Sequence, residues 1–124
     1  MEVVRVVQRI DIDRIRDEYE KIKDTVPWEN GQTSINYRDK EDEDKHLGGC
    51  GWHKEYFTRG HVFQKDYMLY NEEYHNTLIK GVLTQYQCYR SRFLTRKSGT
   101  CYQWHNDNDF RLHIPVYSDP GNFF

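Results

Sequence analysis

A chain of 124 residues has the length of one domain, and nothing in it marks a second core. Hydrophobic residues are only 36% and charged residues 31%, a balance close to disorder, but 15% of the residues are aromatic and these bury large areas, so a folded domain is expected. The net charge of -2 gives no electrostatic reason to expect nucleic acid or an anionic membrane as partner, and no segment approaches the roughly 20 apolar residues of a membrane span.

The opening Met1 to Arg9 is too short and too interrupted by charge for a signal peptide. Cysteine occurs three times, at Cys50, Cys88 and Cys101, without a Cys-x-x-Cys pair. An odd count at wide spacing favours reduced thiols, and a cytoplasmic location is the expectation. Cys50 and His53 could supply two zinc ligands, but no second pair accompanies them, so a loop is the better reading.

In chain order, the β-branched run Val3 to Ile10 predicts a strand. Asp11 or Asp13 offers an N-cap, and Ile12, Ile15, Tyr19, Ile22 and Val26 recur at three- and four-residue steps, which predicts an amphipathic helix ended by Pro27. Asn30-Gly31 marks a turn, and residues 32–38 predict a strand with Thr33, Ile35 and Tyr37 on one face. The mixed charges from Asp39 to His46 read as a solvated loop that Gly48 to Gly51 continue, and Trp52 to Phe63 reads as loop with short extended pieces. His46, His53, His61 and His75 read as surface or locally bonded imidazoles rather than ligands.

Asn71 is then expected to cap a second helix, with Tyr74, Leu78, Ile79, Val82, Leu83 and Tyr86 as its apolar stripe. From Arg90 the period changes to two. Residues 90–96, 100–105 and 110–117 predict three strands of an antiparallel meander, which the two helices could cover.

A dense group of ionisable residues lies at the second turn of that meander. His105, Asp107, Asp109, Arg111 and His113 are all odd-numbered, so a turn that preserves phase would project them to one side, while Phe110, Leu112, Ile114 and Val116 pack on the other. His105-x-Asp107 sets an imidazole and a carboxylate at one edge of a metal, and a further histidine would complete a two-histidine, one-carboxylate face. Arg111 and His113 could hold an anionic co-substrate. On the tripeptide alone, a polar turn that caps its own backbone is the better account.

The larger constellation shifts that balance. Arg92-Phe93-Leu94, then Ser98-Gly99-Thr100-Cys101-Tyr102, Trp104-His105 and Asp107, then Arg111-Leu112-His113-Ile114-Pro115-Val116 resembles the first metal-binding half of the Fe(II)/2-oxoglutarate-dependent oxygenases, in particular their aspartyl/asparaginyl β-hydroxylase-like branch. Gly31 to Arg38 and Gly48 to Gly51 are similar to N-terminal segments of that branch. The resemblance implies an α+β fold, a partial double-stranded β-helix of the jelly-roll or cupin-like kind with two flanking helices. It implies Fe(II) on His105 and Asp107, the small-molecule co-substrate 2-oxoglutarate on Arg111 and His113, and a hydroxylase whose substrate stays open, a protein side chain among the candidates.

In that family a distal histidine and a further arginine follow the Arg-x-His strand, whereas this chain ends at Phe124. The expectation is therefore a single, C-terminally truncated domain that binds metal weakly and turns nothing over by itself. Missing return strands would leave sheet edges unpaired, which predicts a homo-oligomer through those edges. The competing expectations are a non-catalytic jelly-roll ligand-binding or assembly module and, less favoured, a metal hydrolase using the same His-x-Asp.

Overall fold

The structure is a computed structural model that describes residues 9–40, 44–50, 64–95 and 112–117. Among these residues it is an α+β arrangement of two α-helices and two small antiparallel sheets. Among the described residues, no helix is long and apolar enough to cross a membrane.

Helix α1 spans Ile12–Ile22 and begins at Asp11, whose carboxylate accepts the backbone N–H of Arg14 at 3.2 Å. This satisfies one of the donors that the first turn of a helix leaves open. Ile15 and Ile22 are buried, and Val26 extends their stripe beyond the last turn. The helix stops at Ile22, ahead of Pro27, because Thr25 folds back to give both its N–H and its hydroxyl to Ile22 O, each at 2.8 Å. The proline closes a turn already made.

Asn30 (φ 51°) and Gly31 (φ 73°) make the expected turn in the left-handed region. The strand expected over residues 32–38 divides into β1 (Gln32–Ser34) and β2 (Asn36–Tyr37). The two pieces pair with different partners: β1 with β4 (Arg92–Leu94), setting Thr33 opposite Phe93, and β2 with β3 (Leu69–Tyr70), setting Asn36 opposite Tyr70. Ser91 O bridges the division by accepting from the N–H groups of Ile35 (2.8 Å) and Asn36 (3.3 Å).

Thr33, Ser34, Ile35 and Asn36 are all buried, so the expected one-sided alternation does not hold. Both faces are covered, and the polar residues are retained because most find internal bonds. Ser34 Oγ accepts from Gly49 N at 3.1 Å, and Asn36 accepts from Ser91 N at 2.9 Å while its amide donates to Leu69 O at 3.3 Å. The glycine segment is part of this packing. Gly48 and Gly49 are buried, and a Cβ on Gly49 would stand 2.7 Å from Ser34 Oγ.

The second helix departs from expectation at its start. Asn71 precedes only a 3-10 turn, Glu72–Tyr74, and makes no side-chain cap. Helix α2 is Leu78–Gln85, and Thr77 caps it by accepting from Lys80 N at 3.1 Å. The reason is local: the Asn71 amide is committed to two carbonyls elsewhere, and Asn76 sits in the left-handed region (φ 63°), which interrupts a helix. The apolar stripe survives the shift. Tyr74, Ile79 and Val82 join Ile15, Ile22, Val26 and Ile35 in one core, flanked by Leu78, Leu83, Tyr86 and Phe93.

In the C-terminal part, β4 begins two residues after Arg90, whose φ of 51° places it outside a strand. Its described partner is β1, far upstream. The strand expected over 110–117 is not found in its described portion, residues 112–117. The expected strands 3–10 and 100–105 lie largely or wholly outside the described residues.

Candidate functional site

Three of the four site residues expected from the sequence, His105, Asp107 and Arg111, lie outside the described residues, and His113 lies within them. His113 is exposed, while Ile114 and Val116 pack against the core on either side of exposed Pro115. The alternation expected for this arm is therefore kept from His113 to Val116, although this portion is not a strand and pairs with none among the described residues. Leu112 departs from it, being 40% exposed.

Helix α1 fastens the arm just beyond the motif. Arg16 Nε donates to Val116 O at 2.6 Å, and its guanidinium lies 5.3 Å from the Tyr117 ring centroid. Tyr117 gives its hydroxyl to Glu20 Oε1 at 2.7 Å, and its ring meets Tyr19 with centroids 6.0 Å apart. Glu20 also accepts from Lys23 at 2.7 Å. The Lys23 bond first, and the Tyr117 bond after it, hold the Glu20 carboxyl below its ordinary range. No sequence signal marked Arg16 and Glu20 as anchors, because solvent-facing positions of an amphipathic helix normally carry such charges.

A second polar cluster surrounds Ser34. Arg90 Nε and Arg92 Nη1 both donate to Gly49 O, at 2.9 and 3.0 Å, and Cys50 Sγ lies 3.4 Å from Ser34 Oγ. Burial pushes the Cys50 thiol up, outweighing the Ser34 bond and the two arginines. It is held as a thiol, the unreactive form.

His46 Nε2 lies 3.1 and 3.0 Å from the two carboxylate oxygens of Glu73. Burial raises the Glu73 carboxyl, but the bond with His46, a bond to the Glu73 backbone and the nearby His75 together outweigh it and leave it below its ordinary value. His75 Nε2 lies 3.1 Å from Tyr70 O. Both imidazoles are thus locally bonded, as the sequence reading holds. His53 and His61 lie outside the described residues. Among the described residues no three His, Cys, Asp or Glu side chains are grouped to hold a metal ion.

Comparison with family models, curated proteins and solved structures returns no match to this chain.

Proposed function

We propose that the C-terminal part of this chain is the first metal-binding half of a non-haem Fe(II)/2-oxoglutarate-dependent oxygenase, a hydroxylase built on a partial double-stranded β-helix. His105 and Asp107 would hold Fe(II), and Arg111 and His113 would hold 2-oxoglutarate. The observation that carries the reading is the ordered run of Tyr102, His105-x-Asp107 and Arg111-x-His113-Ile114-Pro115. The arm from His113 to Val116 supports it: the imidazole faces outward while Ile114 and Val116 turn to the core, the sidedness a co-substrate arm requires.

Iron and 2-oxoglutarate would supply oxidative decarboxylation coupled to hydroxylation of a C–H bond. The protein's part is to hold and orient. His105 and Asp107 would give the ion an imidazole and a carboxylate, and the Arg111 guanidinium would meet the co-substrate carboxylate. A third ligand is assigned to none of the 124 residues: His46 and His75 are engaged elsewhere, and His53 and His61 carry no matching motif. Residues 1–124 are accordingly expected to bind metal weakly and to turn over no 2-oxoglutarate above an Fe(II) blank.

The test is a Co(II) titration followed in the visible spectrum, with and without 2-oxoglutarate. The wild-type chain should develop a ligand-field band that His105→Ala and Asp107→Ala each lose. If neither this chain nor one extended at its C-terminus binds the ion, the reading fails and a non-catalytic binding or assembly module replaces it.

A further inference from the structure

Asn30-Gly31 is the one Asn-Gly pair in the chain, and it stands at the tip of a two-residue turn. Glu29 and Gln32 close the neck of that turn by exchanging backbone N–H bonds of 2.9 and 3.0 Å. Both central residues have positive φ, 51° and 73°, a form that Asn and Gly adopt more readily than other residues. The fold then fixes the identity of the second. Gly31 O accepts from Thr95 N at 2.7 Å and from the Thr95 hydroxyl at 3.3 Å, and a Cβ on Gly31 would stand 2.7 Å from Thr95 O. Backbone conformation and contact both exclude a side chain at this position.

That requirement sets two reactive groups side by side. The backbone nitrogen of Gly31 can attack Asn30 Cγ to close a five-membered ring, and a side chain on the attacking residue would hinder the approach. Asn30 is exposed, and among the described residues neither its side-chain amide nor the Gly31 N–H has a hydrogen-bond partner. Ring closure needs rotation about the Asn30 Cα–C bond, and a surface turn closed by two neck bonds opens at a small cost in free energy. The other described asparagines lack this combination. Asn36 and Asn71 are buried, with their amides bonded to backbone carbonyls. Asn76 is exposed and shares the left-handed conformation (φ 63°), but the β-branched Thr77 follows it.

We propose that Asn30-Gly31 is a modification site at which the folded chain deamidates spontaneously and forms isoaspartate. The Gly31 nitrogen gives its proton to solvent and bonds to Asn30 Cγ, the Cγ–Nδ2 bond breaks, and the former amide nitrogen takes up a proton from solvent and leaves as ammonia. Water then opens the succinimide at either carbonyl, giving aspartate or isoaspartate without an oxidant or reductant. Either product adds a negative charge beside Glu29. Isoaspartate also carries the main chain through the former side chain, one carbon longer between Glu29 and Gln32, which disturbs the bonds at the neck and the seat of Gly31 against Thr95. The site stands apart from the metal motif and does not depend on it.

The proposal is tested by incubating the whole chain in mildly alkaline buffer at physiological temperature and mapping its peptides by mass spectrometry at intervals. Methylation by an isoaspartate-specific carboxyl methyltransferase is the second readout. Conversion at Asn30 should run at least about tenfold faster than at Asn76 in the same samples. The methyl-accepting product should map to residue 30 and be absent from Asn30→Gly, a change that suits the same turn. A parallel incubation in urea gives the rate of the unfolded chain, and the folded rate should lie within about a hundredfold of it, because local opening of the turn suffices. Equal rates at Asn30 and Asn76, aspartate without isoaspartate, or a folded rate more than about a hundredfold below the urea rate overturns the proposal.

Discussion

Glu18 of α1 caps α2: its carboxylate oxygens accept the backbone N–H groups of Leu78 at 2.8 Å and Ile79 at 3.0 Å. Thr77 meets the N–H of Lys80, so three of the first donors of α2 are satisfied, two of them by a residue from the other helix. The negative charge also lies at the positive end of the α2 dipole. Helix docking and helix capping are therefore one interaction.

Glu18→Ala should cost about 1–3 kcal/mol, since it leaves two partly buried N–H groups without partners. Urea unfolding measures it, and the neighbouring surface change Asp17→Ala serves as a reference expected to move stability by less than about 0.5 kcal/mol. A Glu18→Ala cost no larger than that reference would show that the cap contributes nothing.

Asn71 is the second cross-link. Its buried amide donates to Ser34 O at 3.1 Å and to Lys45 O at 2.7 Å, tying the segment before α2 to β1 and to the charged loop that follows β2. Asn71→Ala should cost roughly 1–3 kcal/mol. Asn71→Asp should cost more, because it sets carboxylate oxygens against carbonyl oxygens in a buried place. Measuring both variants at neutral pH decides the order, and an aspartate variant more stable than the alanine one would contradict this account.

Tyr74 is fully buried, and its hydroxyl has no hydrogen-bond partner among the described residues. Burial pushes the phenol far above its ordinary value. Tyr74→Phe removes an unsatisfied group while keeping the ring, whose centroid lies 6.2 Å from that of Phe93, and should gain roughly 1 kcal/mol. The pH dependence follows in sign: the folded state holds the phenolic proton more tightly, so stability falls as pH rises past the ordinary tyrosine value near about 10. The phenylalanine variant should lose less stability above that pH, as alkaline unfolding curves of the two proteins would show.

The His46 and Glu73 pair should appear at the acid end. A carboxyl held below its ordinary value stabilises the fold above the unfolded value, and the contribution is lost as pH falls through the folded one. Glu73→Gln should therefore flatten part of the acid limb of the stability profile and leave the alkaline limb unchanged. An acid limb identical in both proteins would remove the pair from the account.

How much of this was legible in the sequence depended on how local the cause was. The Ile15, Ile22 and Val26 stripe and the Asn30-Gly31 turn depend on neighbours a few residues apart and are found as read, and of the two caps the sequence offers, Asp11 and Asp13, the structure uses Asp11. The stripe Tyr74, Ile79 and Val82 was legible for the same reason, but the start of α2 was not: Asn71 is an equally good cap on paper, and only its distant carbonyl partners divert it. At the candidate site the legible part was the order of residue types from His105 to His113, a matter of spacing along the chain.

By itself, then, the sequence determined the two amphipathic helices, the α+β class and the motif on which the proposed chemistry rests. Only the tertiary structure decided that one predicted strand would divide between two partners, that Gly49 would be buried against Ser34, and that Glu18, Arg16 and Glu20 would tie distant segments together. The physical reason is that periodicity shows which face of an element is apolar. It does not show which distant backbone groups remain unpaired after the core has closed, and those groups choose the polar partners.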